Sequence, residues 1–198
     1  AEDRGHSDLG WLTSHHTFSF GGYSDPRHMG FPALRVINDD PVPPGKGFGA
    51  HGHRDMEILS YVVDGKLAHK DSMGEAHELG PNEVQAMSAG NGVIHSEYNA
   101  SNTEATHFLQ IWIMPAEKSI APSYQQFAYD PAEKGARLRL MAGPDVEGGA
   151  ARINQDGRMY ASVLAPGETV TSPLASGRHA WVQCVTGTAE VNGLAIKT

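Results

Sequence analysis

Polar and apolar residues alternate over short runs of the chain, and no stretch before residue 115 has an apolar period of 3.6 residues. Alternation with a period of two is typical of β-strands that bury one face. Together with runs of β-branched and aromatic residues, it predicts strands at residues 17–20, 34–38, 58–63, 66–70 and 108–113. The first half of the chain is therefore predicted to be all β.

Turn-forming residues separate these runs. Asp64-Gly65 predicts a tight hairpin, with residues 66–70 as the return strand. The proline-rich residues 39–45 predict a rigid polar connection. Residues 115–135 contain three prolines and few aliphatic side chains, which predicts a linker with a helical turn near residues 124–126.

Strand-like patterns return after this linker, at residues 137–141 and 159–164. We therefore predict two domains, residues 1–130 and residues 131–198. The second domain also repeats glycine and proline positions of the first domain at an offset of 122 residues. Pro44-Gly45 is matched by Pro166-Gly167, and Gly65 by Gly187. This spacing favours a domain duplication over a solenoid, whose repeats are shorter.

Composition narrows the functional classes. A chain of 198 residues, 39% hydrophobic and 19% charged, is typical of a globular protein. Its formal net charge of −8 argues against direct nucleic-acid binding. The single cysteine, Cys184, excludes an intrachain disulfide and predicts a cytoplasmic protein. The sequence contains neither an apolar run of 18 residues nor a signal-peptide pattern, so no membrane partner is expected.

The strongest chemical signal is a pair of short segments with metal-ligand spacing. His51 and His53 are separated by one residue, as are His95 and Glu97. Side chains at i and i+2 leave the same face of a strand, about 6.6 Å apart along the backbone. Two such strands side by side would bring three imidazoles and a carboxylate together, which predicts a metal site.

Imidazole and carboxylate ligands suit iron, manganese, cobalt, nickel, copper or zinc. Closed structural zinc sites usually include cysteine, and none lies near either segment, so a structural zinc is the weaker interpretation. Glu57 is the competing carboxylate, but it lies four residues beyond His53, about 13 Å at strand rise. Glu97 is therefore preferred. His69 and His77 lie in a charged, turn-rich segment and are predicted to be solvated.

These segments resemble the two motifs of the cupin superfamily. The first is Gly45, His51-x-His53, Glu57 and Gly65, with one residue more than usual before the last glycine; the second is Gly92-x-x-His95-x-x-x-Asn99, with Gly90 in place of the expected proline. More closely, the chain is similar to bacterial pirins. The matching residues are 4–6, 16–20, 25–26, 34–40, 51–57, 87–90 and 95–97.

The resemblance implies an all-β fold of two cupin barrels, with one metal ion, held only by the N-terminal barrel through His51, His53, His95 and Glu97. It implies a non-haem dioxygenase that opens the heterocycle of a flavonol such as quercetin with dioxygen. Iron is the first choice of metal, and Glu97 would be both ligand and catalytic residue. The alternative is a metal- or redox-sensing regulator that acts through a protein partner without catalysis. We expect a monomer.

The 122-residue offset places the second barrel's second motif near position 217, so the C-terminal barrel is expected to be incomplete in this chain. At the same offset His51 and His53 become Pro173 and Ala175, and Glu57 becomes His179. These three residues are predicted to lie on a strand equivalent to the one that carries the first motif. One imidazole cannot hold a transition-metal ion, so the second domain is predicted to bind none.

Overall fold

The computed structural model describes residues 4–146 and 148–198, in which the regular elements are β-strands and one short 3₁₀ helix at Pro131–Lys134. The strands are β1 (Gly5–Asp8), β2 (Thr13–His16), β3 (Leu34–Val42), β4 (Gly47–His53), β5 (Glu57–Asp64), β6 (Leu67–Asp71), β7 (Ala76–Leu79), β8 (Glu83–Ser88), β9 (Val93–Asn99), β10 (Thr106–Ile113), β11 (Ser123–Ala128), β12 (Arg139–Gly143), β13 (Ala151–Arg152), β14 (Met159–Ala161), β15 (Thr188–Val191) and β16 (Leu194–Lys197). Within these residues, no helix has the length and apolar character needed to span a bilayer.

Two antiparallel sheets form the N-terminal barrel. A seven-stranded sheet has the order β1-β2-β3-β10-β5-β8-β11, and a four-stranded sheet has the order β4-β9-β6-β7. Apolar side chains from both sheets pack between them. The cluster at one end includes Val62, Leu67 and Phe108, and the cluster at the other includes Ile58, Met87 and Val93. The interior between the two clusters is where polar side chains collect.

Strand β5 is buried on both faces. Ile58, Ser60 and Val62 point into the barrel, whereas Leu59 packs in a cluster on the outer face of the seven-stranded sheet. Burial on both faces explains why residues 58–63 read as a nearly continuous apolar run instead of an alternating one.

The C-terminal unit covers this outer face. Its central strand β12 pairs parallel with β13 and antiparallel with β14. Met141, Ala151 and Ile153 join Leu59 and Ile111 in one cluster. The nearly buried Lys134 donates a hydrogen bond to the hydroxyl of Tyr61, 2.8 Å away. The barrel and the C-terminal unit therefore share a core.

Several predicted elements are corrected by the structure. The strand predicted at 17–20 is not observed, and β2 ends just before it, at His16. Phe18 and Phe20 have different partners, because Phe18 joins the cluster under the C-terminal unit and Phe20 packs against Trp112. Residues 39–42 belong to β3 and are not a connection. Residues 124–126 lie in β11, which pairs with β8, and form no helical turn.

The predicted hairpin at Asp64-Gly65 is also wrong. The turn exists, and Gly65 has the positive φ of 77° that such a turn requires. However, β5 pairs with β8 and β10, whereas β6 pairs with β7 and β9. The chain crosses from one sheet to the other at Gly65, so the local turn signal is correct and the inferred pairing is not.

The strand predicted for Pro173, Ala175 and His179 is not observed. Of the described residues, none from 164 to 187 lies in a strand, and most of them are exposed. A strand needs a hydrogen-bonded neighbour about 4.8 Å away, and none of the described segments forms a ladder with this one. The domain boundary between residues 130 and 131 stays a prediction.

Candidate metal centre

Strands β4 and β9 bring three histidine rings together. His51 lies opposite His95 in the antiparallel register, and His53 lies opposite Val93. The register shifts between Phe48 and His51, where β4 has one more residue than its partner. The ring centroids of the three histidines are 4.6–4.8 Å apart. The predicted i, i+2 geometry of His51 and His53 therefore occurs on β4.

The three rings run from solvent into the interior. His51 is exposed, His53 is half-buried and His95 is 1% exposed. Burial, with the neighbouring imidazoles, lowers the pKa of His53 to about 4 and that of His95 to about 3. Both rings are therefore neutral at pH 7 and offer lone pairs, which is the form that binds a metal.

Glu97 lies deeper in the barrel and is 1% exposed. Its carboxylate accepts hydrogen bonds from the Ser60 hydroxyl at 2.6 Å, from the Gln85 amide at 2.6 Å and from the Gln110 amide. Tyr124 donates in turn to the side-chain oxygen of Gln85, 3.1 Å away. A carboxylate has about four acceptor positions, so this network fixes Glu97 and still leaves room for one further partner.

The candidate donors form two groups that share His95. The donor atoms of His51, His53 and His95 all lie within 4.8 Å of one another, and so do those of His69, His95 and Glu97. The sequence-based set of His51, His53, His95 and Glu97 spans both groups and stays a prediction. His69 is the residue that the sequence interpretation missed.

His69 is not solvated as expected, but 2% exposed. It lies on β6 between Leu67 and Asp71, both of which are also buried. Between them, Ala68 is half-buried and Lys70 is exposed, so burial alternates along β6 although three of its five residues have charged or imidazole side chains. The i, i+2 rule that identified His51 and His53 would have placed His69 on the buried face of Leu67. His77, in contrast, is exposed and pairs with Glu75.

Glu57 lies on the outer face of the seven-stranded sheet and not in the barrel interior. The chain turns at Asp55, which has a φ of 50°, and Glu57 begins β5 in the seven-stranded sheet, so it does not continue β4. Its carboxylate accepts from the Ser88 hydroxyl at 2.7 Å and from the backbone N–H of Asn154 at 3.2 Å. Glu57 therefore ties the barrel to the C-terminal unit.

Unpaired buried nitrogens indicate that the site accommodates a cation. Both ring nitrogens of His95 and Nδ1 of His69 are buried and have no hydrogen-bond partner among the described residues. An unsatisfied buried polar atom costs about 1–3 kcal/mol. On His51, Nδ1 lies 2.7 Å from the carbonyl oxygen of Gly49, which leaves Nε2 free. Neutral imidazoles with free nitrogens beside a carboxylate fit a mid-to-late first-row divalent ion.

Comparisons with known proteins agree with this architecture. A family model described as Pirin matches residues 1–113, and a model described as Quercetinase C-terminal cupin domain matches residues 140–198. A quercetin 2,3-dioxygenase of Escherichia coli K12 is 48% identical over 198 residues, which cover 100% of this chain and 84% of the relative. A pirin-like protein of Caulobacter vibrioides is 39% identical over 191 residues, which cover 96% and 82%.

Solved structures show the same likeness. The crystal structure of bacterial pirin YhhW from Escherichia coli in complex with nickel(II) is 45% identical to this chain with a TM-score of 0.94, and the match covers 100% of this chain and 84% of that one. Together, the two family matches and the nearly all-β structure confirm the predicted fold class of cupin domains.

Proposed function

Because the chain belongs to the pirin family, we propose that it is a metal-dependent dioxygenase that opens the heterocycle of a flavonol with dioxygen, with quercetin as the test substrate. The observation that carries the proposal is the group of neutral histidines beside the fixed carboxylate of Glu97. It is supported by the quercetin 2,3-dioxygenase that is 48% identical over the whole chain. The family match includes the region that contains every candidate ligand.

The proposed ligands of a single divalent ion are His51, His53, His95 and Glu97. Iron is our first choice, and nickel is the principal alternative because the crystal structure of the relative from Escherichia coli is a complex with nickel(II). Copper, manganese, cobalt and zinc also accept imidazole and carboxylate ligands. When bound, the ion supplies Lewis-acid polarisation of a coordinated substrate oxygen.

The chain's own residues bind and orient the substrate in this proposal. The exposed His51 lies at the outer end of the site, so a ligand approaches from that side. Trp112 packs edge-on against His53 with centroids 4.9 Å apart, and Phe20 packs on Trp112 at 5.2 Å. These half-buried rings offer an aromatic wall for a planar flavonol.

Glu97 has two roles in the proposal, ligand and acceptor of the proton from the substrate hydroxyl. Its three hydrogen bonds, from Ser60, Gln85 and Gln110, favour a fixed position. A fixed carboxylate is suited to hold an ion and to take a proton only from a group that comes within about 3 Å. The ligand role is therefore the better supported of the two.

Oxygen consumption tests the function. The metal-free protein is loaded separately with iron, nickel, copper or manganese, and oxygen uptake is recorded together with the loss of quercetin absorbance. We expect uptake with at least one metal, and none from His95→Ala treated in the same way. Absence of turnover with all four metals would refute the enzyme and leave the regulatory alternative, in which the same site senses metal or redox state for a protein partner.

Metal analysis tests the remaining parts of the proposal. We expect one ion per chain, because Pro173, Ala175 and the exposed His179 offer no second donor set. The C-terminal unit would then serve to cover the barrel and support the site. A ratio near two would show that another site exists. The cytoplasmic location and the monomeric state stay predictions; sedimentation checks the second.

A further inference from the structure

The Phe20 ring, which packs on Trp112 in the proposed site, lies on a loop and not in a strand. This β2–β3 loop, residues 17–33, joins β2 to β3, and none of its residues belongs to a named strand. Backbone hydrogen bonds tie it to the seven-stranded sheet near its two ends, at Thr17 and Ala33. Loops are generally more mobile than the strands that they join. The position of Phe20 therefore depends on the side-chain contacts that anchor the loop.

One side of the β2–β3 loop supports the metal site. The rings of Phe20 and Trp112 pack edge-on, with centroids 5.2 Å apart and an interplanar angle of 83°. Trp112 packs in the same way on His53, at 4.9 Å and 82°. Edge-to-face contact is one of the arrangements that aromatic rings favour. Trp112 is therefore held between a proposed metal ligand and the loop, and a displacement of Phe20 would remove its support on one side.

The other side of the loop contacts Trp181 of the C-terminal unit. The centroid of the Trp181 ring lies 5.0 Å from that of Phe18 and 5.5 Å from that of Phe31. These two phenylalanines stand near the two ends of the loop. Gln183, two residues beyond Trp181, accepts a hydrogen bond from the Thr17 hydroxyl at 3.3 Å. The ring of Trp181 therefore joins both ends of the loop.

The contacts of Trp181 serve no strand pairing in the C-terminal unit. Among the described residues, none from 164 to 187 lies in a strand, and most of them are exposed. Trp181 is 41% exposed, so more than half of its large apolar surface is covered in a segment without a ladder. Burial of apolar surface between this ring and the two phenylalanines stabilises the position of the loop. The segment therefore anchors the β2–β3 loop.

We propose that Trp181 is a positioning residue for the substrate. It clamps the two ends of the β2–β3 loop, and the loop holds Phe20 and Trp112 as the wall on which a planar flavonol lies. This inference rests on the dioxygenase proposed above and gives the C-terminal unit a part in substrate binding. None of these three rings belongs to the proposed donor set, so metal affinity is expected to stay unchanged when Trp181 is replaced.

Oxygen uptake by the metal-loaded protein over a range of quercetin concentrations tests the proposal. Trp181→Ala should raise KM roughly threefold to tenfold, the equivalent of one aromatic contact, and change kcat less than KM. Trp181→Phe keeps a ring at this position and should recover most of the loss. Val182→Ala is the matched control, because it removes an apolar side chain that is 52% exposed from the neighbouring position. This control should behave as the wild type does.

The indole N–H signal of Trp112 in a ¹H–¹⁵N NMR spectrum gives a readout that needs no turnover. The chain has three tryptophans, so the signal that disappears in Trp112→Phe is assigned to Trp112. Movement of the Phe20 ring changes the ring-current field at Trp112. In the metal-free protein we expect a shifted signal in Trp181→Ala, and a signal close to that of the wild type in Trp181→Phe and Val182→Ala.

The two levels of the hypothesis fail in different ways. If the wild type takes up no oxygen with any of the four metals, the proposed function is wrong, and an unchanged Trp112 signal in Trp181→Ala still overturns the clamp. If the wild type turns quercetin over and Trp181→Ala keeps its KM or its Trp112 signal, only the inference about Trp181 is wrong. A loss of metal affinity in Trp181→Ala would also reject it. If circular dichroism shows that Trp181→Ala does not fold, Trp181→Leu takes its place under the same criteria.

Discussion

Asp40 is predicted to destabilise the protein at neutral pH. It lies on β3 opposite Phe108, points into the barrel and is 2% exposed. Burial raises its pKa from 3.8 to about 7, and the hydrogen bond from Ser14 only partly opposes this. The folded protein therefore holds a proton on Asp40 that the unfolded chain releases. Stability from this residue is complete below about pH 4 and is lost as the pH rises through 7.

The magnitude follows from the displacement of the pKa. Each pKa unit corresponds to about 1.4 kcal/mol, so the rise from 3.8 to about 7 costs roughly 4 kcal/mol once Asp40 is ionised. Asp40→Asn removes the ionisation. We expect the variant to match the wild type near pH 4 and to gain on it steadily, by about 2–4 kcal/mol in the free energy of unfolding at pH 8.

Urea unfolding of the metal-free proteins between pH 4 and 8 measures this difference. Asp39→Asn is the matched control, because Asp39 lies on the opposite face of the same strand. Burial works to raise the pKa of Asp39, but hydrogen bonds from His107 and Arg4 outweigh it and lower the pKa below 3.8. Its variant should lose stability at neutral pH. A variant-minus-wild-type curve for Asp40→Asn that stays flat from pH 4 to 8 would refute the reasoning.

Three further predictions concern the site and its frame. Glu97→Gln should lower both metal affinity and quercetin-dependent oxygen uptake. Glu57→Gln should keep both, but its free energy of unfolding should fall by about 1–3 kcal/mol because its bonds to Ser88 and Asn154 are weakened. Equal metal affinities of the two variants in calorimetry would contradict the choice of Glu97 as the ligand. Gly90→Ala should lower the melting temperature and cost at least about 1 kcal/mol of stability, because Gly90 has a φ of 47° and an added Cβ would clash with a backbone oxygen of the neighbouring segment. Gly22→Ala is the control and should not lower it, because the space around Gly22 is open. Because burial lowers the pKa of His95 to about 3, the metal-free protein should lose stability as pH falls below 6.5, where the unfolded chain takes up the proton; His95→Ala should weaken that slope in urea unfolding.

Alternation within single strands predicted the all-β character of the first half and the geometry of the first histidine pair, whereas the two cupin barrels were implied by the family resemblance. The spacing of His51 and His53 is a local property that a strand of any orientation preserves. Pairing between strands is not local. Asp64-Gly65 indicates a turn, but those two residues do not indicate that β6 pairs in the four-stranded sheet instead of with β5.

Burial of polar residues was the other limit of the sequence interpretation. Asp39, Asp40 and His69 have polar side chains that normally lie at the surface, and each is buried because a partner strand supplies its surroundings. Glu57 resembled a fourth member of the first motif. Its position on the outer face follows from the turn at Asp55, which the strand pattern did not reveal.

The shared core has a consequence for synthesis of the chain. Strand β10 ends at Ile113, and by then Leu59, Leu109 and Ile111 have been made. The last fully buried residue of the same cluster, Ile153, is made only 40 residues later. At about 5–20 residues per second, translation leaves this apolar face uncovered for roughly 2–8 s. The nascent barrel therefore exposes an aggregation-prone face during that interval, and a ribosome that stalls in the segment between the two units would prolong the exposure.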